Sequence, residues 1–169
     1  IETEVQSWQP FDRPVHVGHQ TVNNLFHSSS PKIKFLANVI HQSVEKFFQK
    51  YQSDTNWLVT RRPQNFHLEG WSVNLFKGGY QDNHSHPTGW VSGILYLKVV
   101  SKPVENEGSI EFNLNCLPGL EYALKEPKFL YQPKVGDIIL FPSSLFHRTT
   151  PVMSDVNRRI VSFDLKPER

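Results

Sequence analysis

From residue 56 onward the chain is a succession of short runs rich in β-branched and aromatic residues. Each run is bounded by Gly, Pro, Asn or Asp, which favour turns. The runs that predict strands are residues 56–60, 70–76, 92–100, 108–114, 128–133, 136–142 and 158–165. Short strands at this spacing are typical of an antiparallel sandwich or barrel. The polar segment Pro103–Gly108 is predicted to be a hairpin connection.

One long helix is predicted ahead of these strands, after residues 1–30, which have an irregular pattern. Ser30 can cap it and Pro31 suits the first helical position. The apolar residues that recur at helical spacing are Ile33, Leu36, Ala37, Ile40, Val44, Phe47, Phe48 and Tyr51. We therefore expect an amphipathic helix of about 20 residues that packs its apolar face on the outside of a sheet.

Length and composition limit the possible classes of protein. The 169 residues predict a single domain, with an N-terminal segment and helix over 1–55 and a barrel core over 56–165. The net charge of only +2 gives no indication of a nucleic-acid partner.

The sequence features that bear on cellular location predict a cytoplasmic protein. Cys116 is the single cysteine, so no intrachain disulfide can form. No apolar run is long enough to cross a membrane, and the start has no signal-peptide pattern. The chain also begins without Met, which suggests a trimmed chain or a piece of a longer protein.

Three histidines stand at strand ends and are candidate metal ligands. His84 and His86 are two positions apart, so in an extended segment both rings lie on one face. His147 follows the apolar strand 138–141 and a Pro-Ser-Ser turn. Imidazole is the commonest metal ligand, and distant histidines often converge at a barrel mouth. The alternative for the first two is that one caps the turn and the other is solvated.

An arginine pair opens the last predicted strand. Strand alternation puts Arg158, Ile160, Ser162 and Asp164 on one face and Arg159 on the other. A planar guanidinium at a strand start suits a carboxylate, whereas the alternative is a solvated surface pair. The pattern does not decide whether Arg158 or Arg159 would bind such an anion.

Taken together, these segments resemble the 2-oxoglutarate/Fe(II) oxygenase family, in a variant with His-x-His in place of His-x-Asp. The resemblance rests on "NHSHPTGWVSGILYLKV", "GSIEF", "GDIILFPSSLFHRTTPV" and "RRIVSFDL". It covers about residues 70–165, and "GHQTVNNLF" and the helix also resemble what precedes the family's core.

The resemblance implies a mainly β fold, a double-stranded β-helix or jelly roll, that holds Fe(II) and 2-oxoglutarate. The implied metal ligands are His84, His86 and His147. Arg158 would bind the distal carboxylate of 2-oxoglutarate, with Tyr96 and Asn74 as further cosubstrate contacts. The implied reaction is a dioxygenation that hydroxylates a substrate, which the sequence does not identify, and forms succinate and CO2.

One departure from the family is the third ligand. Most of the superfamily carries an acid where this chain has His86, and Asp82 lies on the wrong side of the motif to replace it. Without that acid the Fe(II) site is more positive by one charge.

Four aromatic residues are candidates to line the substrate mouth or equally to pack the core: Trp90 and Tyr80, and with them Trp71 and Phe76.

Two other functions remain open from the sequence. The cupins share the barrel, and Gly78, His84 and His86 match their first motif. The Glu expected a few residues later is absent, and cupins do not need a late arginine such as Arg158. A non-enzymatic jelly-roll binding module is the third possibility.

Overall fold

The computed structural model of the chain describes residues 1–114 and 127–168; Cys116 lies outside the described residues. One long strand forms the spine of a single curled sheet. The strands are β1 (Gln6–Trp8), β2 (Val15–Thr21), β3 (Phe66–His84), β4 (Val91–Lys98), β5 (Ile110–Asn113), β6 (Phe129–Tyr131), β7 (Ile138–Pro142), β8 (Phe146–Thr149) and β9 (Arg158–Pro167). The helices are α1 (Pro31–Lys50), the short α2 (Trp57–Thr60) and a 3-10 turn at Leu25–His27.

Antiparallel pairing places the last strand in the middle of the sheet. The strand order is β6-β5-β8-β3-β9-β4-β7, and β2 pairs with both β1 and β3. β9 runs beside β3 from Phe66 opposite Pro167 to Leu75 opposite Arg158. The far end of β3 leaves β9 and pairs instead with β8, where His84 lies opposite His147. The prediction of a mainly β chain with one long helix is confirmed.

The sheet separates two apolar clusters. On the outer face, α1 contributes Ile33, Ile40, Val44 and Phe48 to a cluster with Val161 and Phe163 of β9. Gly93 of β4 has no side chain where the ring of Phe163 passes, and an added Cβ there would clash with that ring. The absence of a side chain at Gly93 therefore lets the ring of Phe163 lie across β4 within the outer cluster.

The inner face carries the second cluster and the polar groups of interest. Val73, Ile94, Tyr96, Ile110 and Ile160 pack there. Because alternate residues of a strand share a face, Arg158, Ser162 and Asp164 lie on the same side of β9 as Ile160. The inner face is thus apolar in the middle of β9 and polar towards both of its ends.

The structure differs from the sequence predictions at four places. Residues 56–60 form helix α2 and not a strand, because the Asn56 side chain accepts a hydrogen bond from the backbone N–H of Leu58 and caps a helical turn. Residues 1–30 are not irregular, since they contain β1 and β2. The segment Pro103–Gly108 is not a hairpin connection: β4 pairs with β7 and β9, whereas β5 pairs with β6 and β8. Strand β8, which carries His147, was not predicted.

Neither α1 nor any other helix within 1–114 and 127–168 has the combination of length and apolarity that a bilayer crossing requires.

Candidate metal centre

His84, His86 and His147 converge at one end of the sheet. His84 ends β3 and faces His147 of β8 across the strand pair, while His86 lies in the turn that follows β3. The ring centroids are 4.4 Å apart for His84 and His147, 5.2 Å for His84 and His86, and 5.1 Å for His86 and His147. One nitrogen from each ring lies within 4.8 Å of the others, which is close enough for the three to hold one ion.

The hydrogen bonds of the rings select which nitrogen is available. The Nδ1 of His84 donates to the carbonyl of Asp82 at 2.7 Å, and that of His147 donates to the carbonyl of Leu145 at 3.1 Å. The Nδ1 of His86 lies 2.6 Å from Oδ1 of Asp164. With each Nδ1 occupied by an acceptor, the three Nε2 atoms are left as the metal-binding set.

Burial keeps two of these imidazoles neutral. It lowers the pKa of His84 from 6.5 to about 4, although the hydrogen bond to the Asp82 carbonyl works in the opposite direction. Burial also lowers the pKa of His147 well below 6.5, and the neighbouring His84 and His86 add to the effect. A neutral imidazole is the form that binds a metal, so these two rings are ready to coordinate near pH 7.

A cavity of about 280 Å³ opens above the three rings. Trp71 forms part of its wall, with its ring 5.4 Å from that of His86. Further out the walls are charged, with Arg13 and Asp12 on one side and an ion pair between Lys166 and Glu69 on the other. Inwards the cavity reaches Ile94 and Ser162. A polar molecule could therefore enter and approach the Nε2 atoms.

Arg158 lies further along the same inner face of β9 and is completely buried. Its Nε donates to the carbonyl of Gly108 at 2.9 Å, and its guanidinium lies over the ring of Tyr96 at 5.1 Å. Within the part of the chain that the structure describes, its two terminal nitrogens and the Tyr96 hydroxyl have no hydrogen-bond partner. Burial lowers the pKa of Arg158 below its ordinary value. These unpaired donors form a cradle that suits a carboxylate.

Other predicted site residues lie elsewhere. Asn74 is opposite Arg159, on the face of the sheet away from Arg158, and accepts a hydrogen bond from Asn157 at 3.1 Å. The ring of Tyr80 stacks on His16 at 4.4 Å. Trp90 donates its indole N–H to the carbonyl of Leu58 at 3.0 Å and packs in the outer cluster. Of the four aromatic candidates for the mouth, Trp71 is the one that lines the cavity.

Asp164 and Ser92 are further parts of the centre that were not predicted from the sequence. Oδ1 of Asp164 accepts hydrogen bonds from the Nδ1 of His86 and from the Ser92 hydroxyl, both at 2.6 Å. The available signal was the alternation of β9, which puts an acid on the same face as Arg158 and Ser162. The wall built by Asp12 and Arg13 carried no sequence signal, because it depends on how β1 and β2 pack.

The family of the chain follows from comparison with known proteins. The family model described as "Putative 2OG-Fe(II) oxygenase" matches residues 69–164, which is more than half of the chain and includes all three histidines and Arg158. The chain belongs to this family of 2-oxoglutarate- and Fe(II)-dependent oxygenases. Membership confirms the prediction of a dioxygenase that uses Fe(II) and 2-oxoglutarate. No curated protein sequence matches the chain.

Solved structures confirm the jelly-roll fold. A prolyl-4-hydroxylase from Pseudomonas putida is similar with a TM-score of 0.65 at 11% identity, over 97% of this chain and 78% of that one. HygX from Streptomyces hygroscopicus, with nickel and 2-oxoglutarate bound, is similar with a TM-score of 0.58 at 14% identity, over 98% of this chain and 74% of that one. A 2OG-Fe(II) oxygenase family oxidoreductase from Burkholderia pseudomallei gives a TM-score of 0.61 at 12% identity, over 98% and 73%.

Proposed function

We propose that the chain hydroxylates a C–H bond of a polar substrate, with Fe(II) held by His84, His86 and His147. The observation that carries this proposal is the common orientation of the three rings, each with Nδ1 on an acceptor and Nε2 free for one shared ion. Nitrogen donors of this kind suit Fe(II), and three of them leave coordination positions open.

Arg158 and Tyr96 are proposed to bind the distal carboxylate of 2-oxoglutarate. Both are fully buried, and the guanidinium has two terminal nitrogens without a partner among the described residues. Leaving charged donors unpaired in a protein interior is costly, so a bound carboxylate would relieve that cost. Asn74 does not enter the proposal, because it lies on the opposite face.

The bound metal and cosubstrate would supply the oxidising chemistry, with O2 as the oxidant: one oxygen atom would enter the hydroxylated substrate and the other the succinate that forms from 2-oxoglutarate with loss of CO2. The chain's own residues do the positioning. Asp82, Leu145 and Asp164 fix the ring tautomers of the three histidines. Trp71 shields one side of the cavity from water. The charged residues at the cavity mouth favour binding of a polar substrate.

A titration tests the proposal directly. We expect Fe(II) added without oxygen to produce a visible charge-transfer band once 2-oxoglutarate is present, because the 2-oxo acid chelates the metal. Arg158→Met should raise the 2-oxoglutarate concentration needed for half of that band by about 30-fold or more. Removing one partner of a buried charge pair usually costs roughly 2–5 kcal/mol of binding free energy, which corresponds to a change of this size. Arg159→Met is the matched control, since Arg159 points outward to Glu2.

The outcomes separate the candidate functions. Equal effects of the two substitutions would overturn the assignment of Arg158. Metal binding without any response to 2-oxoglutarate would contradict the proposed reaction and favour a cupin-type metal barrel. Absence of metal binding would favour a non-enzymatic module.

A further inference from the structure

The three candidate ligands differ in what holds their second ring nitrogen. His84 and His147 donate to backbone carbonyls, which are neutral. His86 alone of the three is held by a carboxylate, that of Asp164, at 2.6 Å. His86 is also the residue that stands where most of the superfamily carries an acid. Among the three histidines, the charged acceptor therefore binds the ring of His86, the one that replaces the usual acid ligand.

Asp164 is buried in a prepared hydrogen-bonding site. The residue is 3% exposed, and Ser92 and Ser143 beside it are 0% and 1% exposed. The Ser92 hydroxyl donates to Oδ1 of Asp164 at 2.6 Å, and its oxygen lies 2.8 Å from that of Ser143. Burying a carboxylate without compensation is strongly unfavourable, so this network stabilises a charge that the fold alone does not need.

Holding the turn in place does not explain this charge. The backbone N–H of His86 already donates to the carbonyl of Ser143 at 2.8 Å. The carbonyl of His86 accepts from the N–H of Gly89 at 3.1 Å. A neutral acceptor would be enough to orient the ring of His86, just as neutral backbone carbonyls orient the other two rings.

We infer that Asp164 is a positioning residue that acts through His86 and supplies, one hydrogen bond away, the negative charge that a carboxylate ligand would supply directly. The inference rests on the proposed function in one respect, that His86 binds the metal. Three neutral imidazoles and a divalent ion carry a charge of +2, and two imidazoles with one carboxylate carry +1. Asp164 brings the total back to +1 and makes the imidazole of His86 a stronger donor.

Metal affinity measures this role without any catalytic turnover. Asp164→Asn keeps the shape and an oxygen acceptor for the Nδ1 proton but removes the charge. We expect the Kd for Mn(II), measured by competition with a fluorescent chelator, to rise by about 10- to 100-fold, the usual effect of losing a partner of this kind. The unfolding temperature of the metal-free protein checks that the variant is folded.

Glu69→Gln is the matched control. Glu69 lines the same cavity and lies directly opposite Asp164 across the β3–β9 pair. It is paired with Lys166 and not with a histidine. Its removal should change the Kd by no more than about threefold, since partly exposed ion pairs contribute little. An equal loss of affinity in both variants would show a general charge effect of the cavity and overturn the inference.

A double-substitution cycle tests the route through His86. In a His86→Ala background, Asp164→Asn should have almost no further effect on the Mn(II) Kd, because the ring that transmits the charge is gone. A full second loss would contradict transmission through His86.

Nitrogen-15 NMR of zinc-loaded wild-type protein gives a measurement that needs no variant. It should show His86 protonated at Nδ1, and a proton on Nε2 would overturn the inference.

These results are independent of the reaction itself. If the wild-type protein binds metal but not 2-oxoglutarate, the proposed reaction fails and the role of Asp164 can still be measured. If Asp164→Asn binds Mn(II) as tightly as the wild type, the role of Asp164 fails whatever happens with 2-oxoglutarate.

Discussion

At the scale of single residues, Arg158 shows how a site can oppose stability. Within residues 1–114 and 127–168 it is among the largest of the fully buried side chains, and its terminal nitrogens have no partner there. The guanidinium lies over the ring of the neighbouring Tyr96, and burial raises the pKa of that phenol to about 12, so it stays a neutral group. A buried cation with no counter-ion is a cost that folding has to offset.

We therefore predict that Arg158→Met stabilises the protein in the absence of ligands. Methionine fills a similar volume and removes the buried charge, and exchanges of this kind have been worth about 1–4 kcal/mol. Thermal unfolding without metal or 2-oxoglutarate should show a higher Tm for the variant than for the wild type. Arg159→Met should leave Tm nearly unchanged. A lower Tm for Arg158→Met would contradict the prediction and mean that the hydrogen bond to Gly108 and the contact with Tyr96 outweigh the cost of the buried charge.

At the scale of elements, helix α1 is the cover of the outer sheet face. Ile40 is 0% exposed in the cluster with β9, whereas Phe35 on the same helix is 67% exposed. The helix carries no site residue, yet it packs on the strand whose other face holds Arg158 and Asp164. Its contribution is to cover the outer side of that strand, where Val161 and Phe163 are fully buried.

We expect Ile40→Ala to destabilise the fold by about 2–5 kcal/mol, because it leaves a cavity between helix and sheet. Phe35→Ala removes a larger side chain from the solvent side of α1 and should change stability by less than about 0.5 kcal/mol. Denaturant unfolding of the two variants checks this. Similar losses for both would contradict the packing of the Ile40 side of α1 on the sheet.

The sequence predicted those elements that are determined by local pattern. Helix α1 begins and ends within a residue of expectation, since its cap and periodicity are local. Strand β3 was predicted over 70–76 and extends over Phe66–His84, because pairing with β2, β8 and β9 keeps its polar ends extended. Strand β8 has no apolar alternation, and only its partners β3 and β5 make it a strand.

The same distinction applies to the candidate centre. The histidines and Arg158 were found from spacing and from resemblance to a family. Asp164 was placed on the correct face by alternation, but its contact with His86 joins the turn after β3 to the end of β9. Such a contact depends on the register of distant strands, which a single sequence does not specify.

At the scale of the whole molecule, the three histidines connect parts of the sheet that meet only at this end. His84 belongs to β3, His147 to β8, and His86 to the turn that leads into β4. A metal bound by all three would tie these segments together. Because such a site is absent from the unfolded chain, the free energy of binding adds to the stability of the fold.

We predict that Tm rises with the concentration of Mn(II) or Fe(II), by an amount equivalent to about 2.7 kcal/mol when the metal is at 100 times its Kd. His147→Ala should abolish the rise. His67→Ala is the control, because His67 lies at the opposite end of β3 and is half exposed. A metal-dependent rise that persists in His147→Ala would place the ion elsewhere.

The N-terminal arm, formed by β1, β2 and the segment between them, has a consequence for how such proteins diversify. It adds Asp12, Arg13 and Gln20 to the cavity but contributes none of the three histidines. It pairs with the barrel through β2 and β3, and two β2 side chains add to this attachment: Val15 is buried in the inner cluster and His16 stacks on Tyr80. Exchange of this arm between related chains would therefore alter what the cavity admits while the histidine cluster keeps its geometry, which makes the arm a natural unit for grafting new selectivity.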